Sequence, residues 1–295
     1  MNAISKRLPR FVRHRFGKPL FVLQARDRNI VRLVAEHRVI ASDDICLLVG
    51  GSEQNVLRRL QRLFHSGFVD RPGAQREFGN ARLLYTLGAR GADLIAQETG
   101  HRPTGDWAEK NRSLHSPYLE HALMVSRFHT ALRHACAARG VVLVERWHGD
   151  GFLRDSVWAE NNGRRARLPV VPDALCILRI LEGAKAGRIH MFLEADRSTM
   201  TTRRFVAKMS AYLAYGRSGR AEERLGAKNF LIVVATKSTA RMDSLMTAAA
   251  RSLDQRSLRP FVFAPQDEYL PASRLAILSP LWRTPADSMR HSLLE

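Results

Sequence analysis

Apolar residues recur with a helical period through the first hundred positions of the chain. A first helix is predicted over residues 24–37, a second after an N-cap at Ser42, and a third after an N-cap at Ser52. Gly50 and Gly51 interrupt the pattern between the second helix and the third. This spacing predicts a helix-turn-helix.

The third predicted helix has an apolar side and a basic side. Its apolar stripe is expected to be buried and consists of Val56, Leu57, Leu60, Leu63 and Phe64. The other side presents residues that suit base recognition in the major groove of DNA, namely Asn55, Arg58, Arg59 and Arg62. Asparagine and arginine can each make two hydrogen bonds to one purine edge. The alternative interpretation is an ordinary solvated basic face.

Two short extended runs, Phe68-Val69 and residues 83–87, follow this helix. The polar stretch between them predicts the tip of a hairpin, or wing. Its arginines are expected to contact backbone phosphates or the minor groove without reading much sequence, and they are Arg71, Arg76 and Arg82. With a closing helix over residues 89–98, the pattern predicts a winged helix-turn-helix domain spanning residues 21–100.

The rest of the chain alternates between predicted strands and helices. A polar linker is predicted over residues 101–114, followed by a long helix over 118–139. Strands are predicted at 141–147, 173–180, 189–193, 230–235 and 261–263, and helices at 200–215 and 239–253. This order predicts a two-domain α/β protein whose second domain spans residues 115–270. A loop is expected from the first of these strands to about Leu168, and a surface tail over 271–295.

The net charge of the chain indicates a class of binding partner. The chain has 295 residues, a formal net charge of +19 and a sequence pI near 11.0. An excess of this size favours a polyanion, here double-stranded DNA, because phosphate contacts release condensed counterions. Residues 1–20 are predicted to form a basic arm, which contains Lys6, Arg7, Arg10, Arg13, Arg15 and Lys18.

Other features limit the protein class. There is no apolar run of membrane-spanning length and no secretory signal, so a cytoplasmic protein without a membrane partner is expected. Cys46, Cys136 and Cys176 are isolated in sequence. Their spacing disfavours a disulfide framework and a structural zinc site.

Carboxylates lie at the ends of two predicted strands. Asp173 begins one strand and Glu194 ends the next, so antiparallel pairing would place them side by side. Asp196 follows closely, and Lys208 and Tyr212 lie on the next helix. Carboxylates in this arrangement can hold Mg²⁺ or Mn²⁺, which would activate water near a phosphate. Turn caps are the alternative role.

The order of helix, strand, Pro172-Asp173 strand, Glu194-x-Asp196 strand and helix resembles the PD-(D/E)XK restriction-endonuclease-like fold. The resemblance implies an α/β/α domain with Asp173, Glu194 and Asp196 as metal ligands, and with Glu120 as a further acidic residue. The lysine usual in that family two places after Glu194 is replaced here by Asp196. Lys208 is the candidate for a catalytic lysine displaced to the next helix.

The chain also resembles the replication-relaxation family of plasmids and integrative elements, from about Leu23 to Thr239. The matching motifs are Arg26-Asp27, Arg58-Arg59-Leu60, Gly67-Phe68-Val69-Asp70-Arg71, Tyr85-Thr86-Leu87-Gly88-Ala89-Arg90-Gly91, Glu120-His121-Ala122-Leu123, Pro172-Asp173-Ala174, residues 193–199 and Lys208-x-x-x-Tyr212. The resemblance implies DNA binding during plasmid replication or mobilisation.

Three functions are therefore considered. The first is a DNA-binding accessory protein of a plasmid or integrative element that acts in replication, relaxation or mobilisation, with replication or relaxase machinery as a partner. The second is a Mg²⁺-dependent DNA endonuclease or nickase. The third is a transcriptional repressor whose C-terminal domain dimerises, and homodimer formation is left open.

Overall fold

The computed structural model describes residues 10–13, 21–73, 82–103, 116–149, 151–161, 164–270 and 272–295. The chain is a mixed α/β protein that divides into two compact units, Met1–Ser126 and Arg127–Glu295. The division falls inside a long helix, Ser116–Arg139. Most of the predicted linker lies outside the described residues.

The N-terminal unit combines short helices with a small sheet. Its helices before the long one are α1 (Ala25–Ala35), α2 (Ser42–Val49), α3 (Glu53–His65) and α4 (Ala89–Thr99). Its strands are β1 (Ile40–Ala41), β2 (Val69–Asp70) and β3 (Leu84–Leu87). They form an antiparallel sheet in the order β1-β3-β2. The predicted helices and the antiparallel pairing of β2 with β3 are thus confirmed, whereas the predicted tip of the hairpin lies mostly outside the described residues.

The N-cap prediction is right for α3 but wrong for α2, and one predicted core residue of α3 is exposed. Ser52 caps α3 as predicted, because its Oγ accepts a hydrogen bond from the Asn55 backbone N–H at 3.4 Å. Ser42, however, is the first residue of α2, and Ala41 occupies the N-cap position. Leu57 was expected in the core but is 38% exposed, because the 100° step of a helix places it at the edge of the buried stripe.

Two glycines allow α4 to begin against the chain that follows α3. A Cβ atom at Gly91 would lie 2.1 Å from the carbonyl oxygen of Phe68, and one at Gly88 would lie 2.4 Å from that of Gly67. Any larger residue would therefore push α4 away from this backbone. Gly88 and Gly91 therefore set how closely the start of α4 packs against the backbone of Gly67 and Phe68.

The C-terminal unit is organised around a seven-stranded mixed sheet. The helices are α5 (Ser116–Arg139), which begins in the N-terminal unit, α6 (Thr202–Arg217), α7 (Arg220–Leu225), α8 (Thr239–Ser252) and α9 (Gln255–Leu258). The strands are β4 (Val142–His148), β5 (Asp155–Asn161), β6 (Arg164–Val170), β7 (Ala174–Ile180), β8 (Gly187–Asp196), β9 (Leu231–Thr236), β10 (Phe261–Pro265), β11 (Trp282–Arg283) and β12 (Arg290–His291). The sheet order is β12-β11-β10-β9-β8-β7-β4. The β8-β9 and β9-β10 pairs are parallel, and the others are antiparallel.

Helices cover both faces of this sheet. On one face, α6 and α8 pack their apolar side chains on Phe192, Val234 and Phe263 of the central strands. On the other face, Phe128 of α5 lies against Trp147 of β4, with ring centroids 6.4 Å apart. Because successive strand residues face opposite sides, Glu194 shares the face of Phe192 and is directed toward α6.

Two predictions for the C-terminal half were wrong. The segment expected to be a loop up to Leu168 contains the antiparallel hairpin of β5 and β6, which is a separate two-stranded sheet. The final segment was expected to wrap over the surface, but β11 and β12 extend the large sheet. Trp282 is fully buried there and donates its indole N–H to the Ile277 carbonyl at 2.9 Å. Burial of that indole ties the segment to the core.

No helix within the described ranges has both the length and the apolar character needed to cross a bilayer.

Candidate functional site

The exposed side of α3 presents three of the residues predicted to read DNA. Asn55, Arg58 and Arg62 are all exposed to solvent. Within the described part of the chain, the side chains of Arg58 and Arg62 make no hydrogen bond or ion pair. Their guanidinium groups are therefore available to an external ligand, and binding would break no contact with the residues that the structure describes.

Arg59 has a different role from its neighbours. Its Nε donates to Asp27 Oδ1 at 2.7 Å, and its Nη2 also bonds to the same carboxylate. The Asp27 side chain is fully buried, and only 13% of the Arg59 side chain is exposed. The Arg59 guanidinium also lies 4.7 Å from the ring centroid of Phe21. Arg59 thus joins α3 to the start of α1, and the expectation that it projects toward DNA is corrected.

The wing arginines also differ from one another. Arg71 is buried, and its guanidinium lies 4.2 Å from the ring centroid of Phe64 and donates to the Tyr85 hydroxyl at 3.0 Å. It is a core residue, so its predicted place on the surface was wrong. Arg82 is half-exposed and pairs with Asp43 at 2.6 Å. Arg76 lies outside the described residues.

Part of the predicted basic arm contacts the N-terminal unit. Arg13 pairs with Asp70 of β2 at 3.2 Å, and the Arg10 carbonyl accepts a hydrogen bond from Arg71. Lys6, Arg7, Arg15 and Lys18 lie outside the described residues. In the described stretch, Arg13 is thus paired with an internal carboxylate.

The C-terminal unit brings Asp173 and Glu194 together, as the antiparallel pairing predicted. Ala174 of β7 is opposite Leu193 of β8. Because the strands are antiparallel, Asp173, which precedes Ala174, comes next to Glu194, which follows Leu193. The Asp173 backbone N–H donates to the Leu193 carbonyl at 3.0 Å. Its Oδ2 accepts a hydrogen bond from the Ala195 N–H at 2.8 Å. These bonds hold the Asp173 carboxylate against the end of β8.

Glu194 is enclosed by side chains from α6. Lys208 Nζ forms an ion pair with Glu194 Oε2, and the Tyr212 hydroxyl donates to Oε1. Burial raises the pKa of Glu194 to about 7, although the charge of Lys208 opposes this shift. Burial alone would lower the pKa of Lys208, but the negative charges of Glu194 and Asp173 outweigh it and raise that pKa. Lys208 therefore does reach the acidic cluster of Asp173, Glu194 and Asp196.

Asp196 is held by a residue that the sequence analysis did not identify. Arg241, in the first turn of α8, donates from Nε to Asp196 Oδ1 at 2.7 Å and from Nη2 to Oδ2 at 2.9 Å. These hydrogen bonds raise the pKa of Arg241. An arginine in the first turn of a helix opposes the helix dipole. That unfavourable position is the one sequence signal that could have indicated a nearby carboxylate.

Asp196 also shapes the loop that leads to α6. Its Oδ1 accepts a hydrogen bond from the Ser198 N–H at 2.9 Å, and its carbonyl accepts one from the Lys237 N–H at 3.0 Å. Ser198 has a φ of 67°, in the left-handed region that costs a non-glycine residue about 1 to 2 kcal/mol. The Asp196 side chain thus stabilises a strained turn between β8 and α6.

The carboxylates of Glu194 and Asp196 do not fit a metal ion as they are held here. Both oxygens of Glu194 accept from Lys208 or Tyr212, and both oxygens of Asp196 accept from Arg241. A divalent cation needs several free oxygen ligands, and a neighbouring ammonium group would repel it. Glu120 lies in the N-terminal unit, half-buried on α5. Its predicted part in a metal site stays a prediction.

Comparison with known proteins identifies a family. No curated protein and no solved structure matches the chain. The family model described as replication-relaxation matches residues 31–230, which include α3 and the acidic cluster. The matched segment is more than half of the 295 residues. The chain therefore belongs to the replication-relaxation family.

Proposed function

We propose that this protein is a DNA-binding accessory protein of a plasmid or integrative element, acting in its replication, relaxation or mobilisation. Family membership supports the replication theme, and the net charge of +19 favours a nucleic-acid partner. The observation on which the proposal rests is the outer face of α3, where Asn55, Arg58 and Arg62 are exposed. Residue types that read purine edges are thus presented together on one helix.

The elements around α3 fit a winged helix-turn-helix. Helices α2 and α3 are separated by Gly50 and Gly51, both with positive φ, as a tight turn between helices requires. The β2-β3 hairpin follows α3 directly. In this proposal α3 enters the major groove of double-stranded DNA, and Arg82 at the base of the hairpin lies near the backbone.

The C-terminal unit is proposed to be a nuclease-like domain that does not cleave DNA. Its order of elements and its Asp173-Glu194 pair support that fold, but both oxygens of Glu194 and of Asp196 already accept hydrogen bonds from Lys208, Tyr212 or Arg241. Two buried salt bridges replace a charged, hydrated pocket. The domain then serves as a second contact surface for nucleic acid or for replication or relaxase proteins.

Alanine at Arg58 or Arg62 should weaken specific duplex binding. Duplexes selected from a random-sequence pool on the full chain would be titrated against each variant. A loss of about 1 to 3 kcal/mol is expected at each position, because a bidentate contact to a base is removed. Arg32→Ala is the matched control, since Arg32 is exposed in the same unit and pairs with Glu98 on the surface. Unchanged affinity in both α3 variants would exclude α3 from the interface.

Catalysis is tested separately with supercoiled plasmid, the full chain, and Mg²⁺ or Mn²⁺. We expect no nicking, because the carboxylates of Glu194 and Asp196 are already paired with Lys208 and Arg241. Asp173→Ala is the control variant. Nicking by the wild-type protein that disappears in Asp173→Ala would establish an endonuclease and overturn the non-cleaving role, whereas equal nicking by both proteins would indicate a contaminant.

A further inference from the structure

A groove with a cavity volume of about 1010 Å³ opens on the C-terminal unit. It is bounded by Trp158 of β5, by one side of α6, and by the end of α8 with the turn that follows. Its described lining includes no residue of the acidic cluster and no DNA-binding or catalytic residue predicted from the sequence. The groove is therefore separate from the site described above.

Helix α6 separates the two sites. Arg203, Ser210 and Arg217 line the groove and recur at a spacing that keeps them on one side of the helix. Lys208 and Tyr212 lie on the other side and reach Glu194. Changes in the groove can thus be made without altering the contacts of the acidic cluster.

The groove is lined by arginines, and few acidic side chains among the described residues offset their positive charge. Arg203, Arg217 and Arg251 line it and are exposed. Within the described residues, Arg203 and Arg251 have no ion-pair partner, and Arg217 donates to the Ser257 hydroxyl at 3.1 Å. Asp254 is the one acidic residue among the described lining, and its carboxylate caps α9 by accepting from the Ser257 N–H at 3.0 Å and from its hydroxyl at 2.6 Å.

An aromatic surface lies beside these cations. Trp158 is 61% exposed, although its strand neighbours Val157 and Ala159 are buried. The Arg165 guanidinium lies 5.5 Å from the Trp158 ring centroid. An indole left in solvent loses the stabilisation that its burial would bring, so a flat ring at the edge of a basic groove indicates a ligand with a flat face of its own.

We propose that this groove binds single-stranded DNA, with backbone phosphates on Arg203, Arg217 and Arg251 and an unpaired base stacked on Trp158. Arginines along a groove and an aromatic platform are the combination that binds single strands without sequence preference. A duplex offers no free base face to the indole, so the stacking surface favours a single strand. The choice of DNA over RNA rests on the proposed function.

The test uses the full chain and fluorescein-labelled oligo(dT), with oligo(rU) and a duplex of equal length as comparisons. Trp158→Ala should weaken oligo(dT) binding about 10-fold, because a base–indole stack is lost. Arg203→Ala combined with Arg251→Ala should also weaken it. The slope of log affinity against log salt should fall by about 0.7 for each arginine removed.

Arg204→Ala is the matched control, because Arg204 is exposed on the same helix next to Arg203 but does not line the groove. Arg58→Ala and Arg62→Ala should leave oligo(dT) binding unchanged, and the groove variants should leave binding of the selected duplex unchanged. The two proposals can therefore fail independently. No oligo(dT) binding by the wild-type chain, or a loss in Arg204→Ala as large as that of the variant combining Arg203→Ala with Arg251→Ala, would overturn the groove assignment. Tighter binding of oligo(rU) would overturn the choice of DNA.

Discussion

Arg59→Ala is expected to lower the free energy of unfolding of the N-terminal unit by about 3 to 5 kcal/mol. The substitution would leave the Asp27 carboxylate, which is fully buried, without its bidentate partner. The remaining hydrogen bond from the Gln24 N–H, at 2.7 Å, cannot neutralise the charge. Native-state hydrogen exchange of amides in α1 and α3 measures the loss within this unit even if the rest of the chain stays folded.

The neighbouring arginine supplies the control for that experiment. Arg58 is exposed and makes no internal contact among the described residues, so Arg58→Ala should change stability by no more than about 0.5 kcal/mol. Combining Arg59→Met with Asp27→Asn removes both charges and should recover much of the lost stability. Equal stability of Arg58→Ala and Arg59→Ala would show that the Asp27 ion pair is not important for folding.

Lys208→Met should destabilise the C-terminal unit strongly, and more so at high pH. The substitution leaves Glu194, which is 5% exposed, without its cation. At pH 8.5 the expected loss is about 3 to 5 kcal/mol, because removing one partner of a buried pair leaves an uncompensated charge. At pH 5.5 the loss should be smaller, because Glu194 is then mostly protonated in both proteins.

The direction of this pH dependence follows from proton binding. Burial raises the folded pKa of Glu194 to about 7, whereas its unfolded value is near 4.5, so the folded state holds a proton that the unfolded chain has released. The contribution of Glu194 to stability is therefore fully present below pH 4.5 and falls as pH rises to the folded pKa. Without Lys208 that pKa rises further, so the decline continues above neutral pH. Lys208 stays charged across this range because its own pKa is raised.

Hydrogen exchange of β8 and α6 amides at the two pH values measures the effect. Adding Glu194→Gln to Lys208→Met is the control, since an amide does not ionise and the extra pH dependence should disappear. A Lys208→Met loss that is the same at pH 5.5 and pH 8.5 would contradict a buried, titrating Glu194.

The elements with strong periodicity were predictable from the sequence. The apolar stripe of α3 is buried as predicted except at Leu57, and the apolar run of β7 forms a strand within a few residues of its predicted bounds. The register of β7 and β8 followed from the short turn between them, so the Asp173-Glu194 pair could be predicted as well.

Polar strands and tertiary ion pairs could not be predicted in this way. The β5-β6 hairpin contains many charged residues, so its composition resembles that of a loop. Arg58 and Arg59 are the same residue type at adjacent positions, and what distinguishes them is Asp27, which lies 32 residues away in sequence. Likewise, the Arg241-Asp196 pair spans 45 residues and depends on how β9 places α8 beside β8. Local patterns do not contain such information.

The order of strands in the large sheet has a practical consequence for recombinant work. The family match ends at residue 230, but β9 begins at Leu231. This strand pairs with residues 191–196, which form the C-terminal part of β8. A fragment trimmed to the matched residues would leave that end of β8 as an unprotected edge and would discard Arg241. Exposed edges recruit strands from other molecules, which leads to aggregates. Expression clones of this protein should therefore retain the segment through β12, even though family similarity does not reach it.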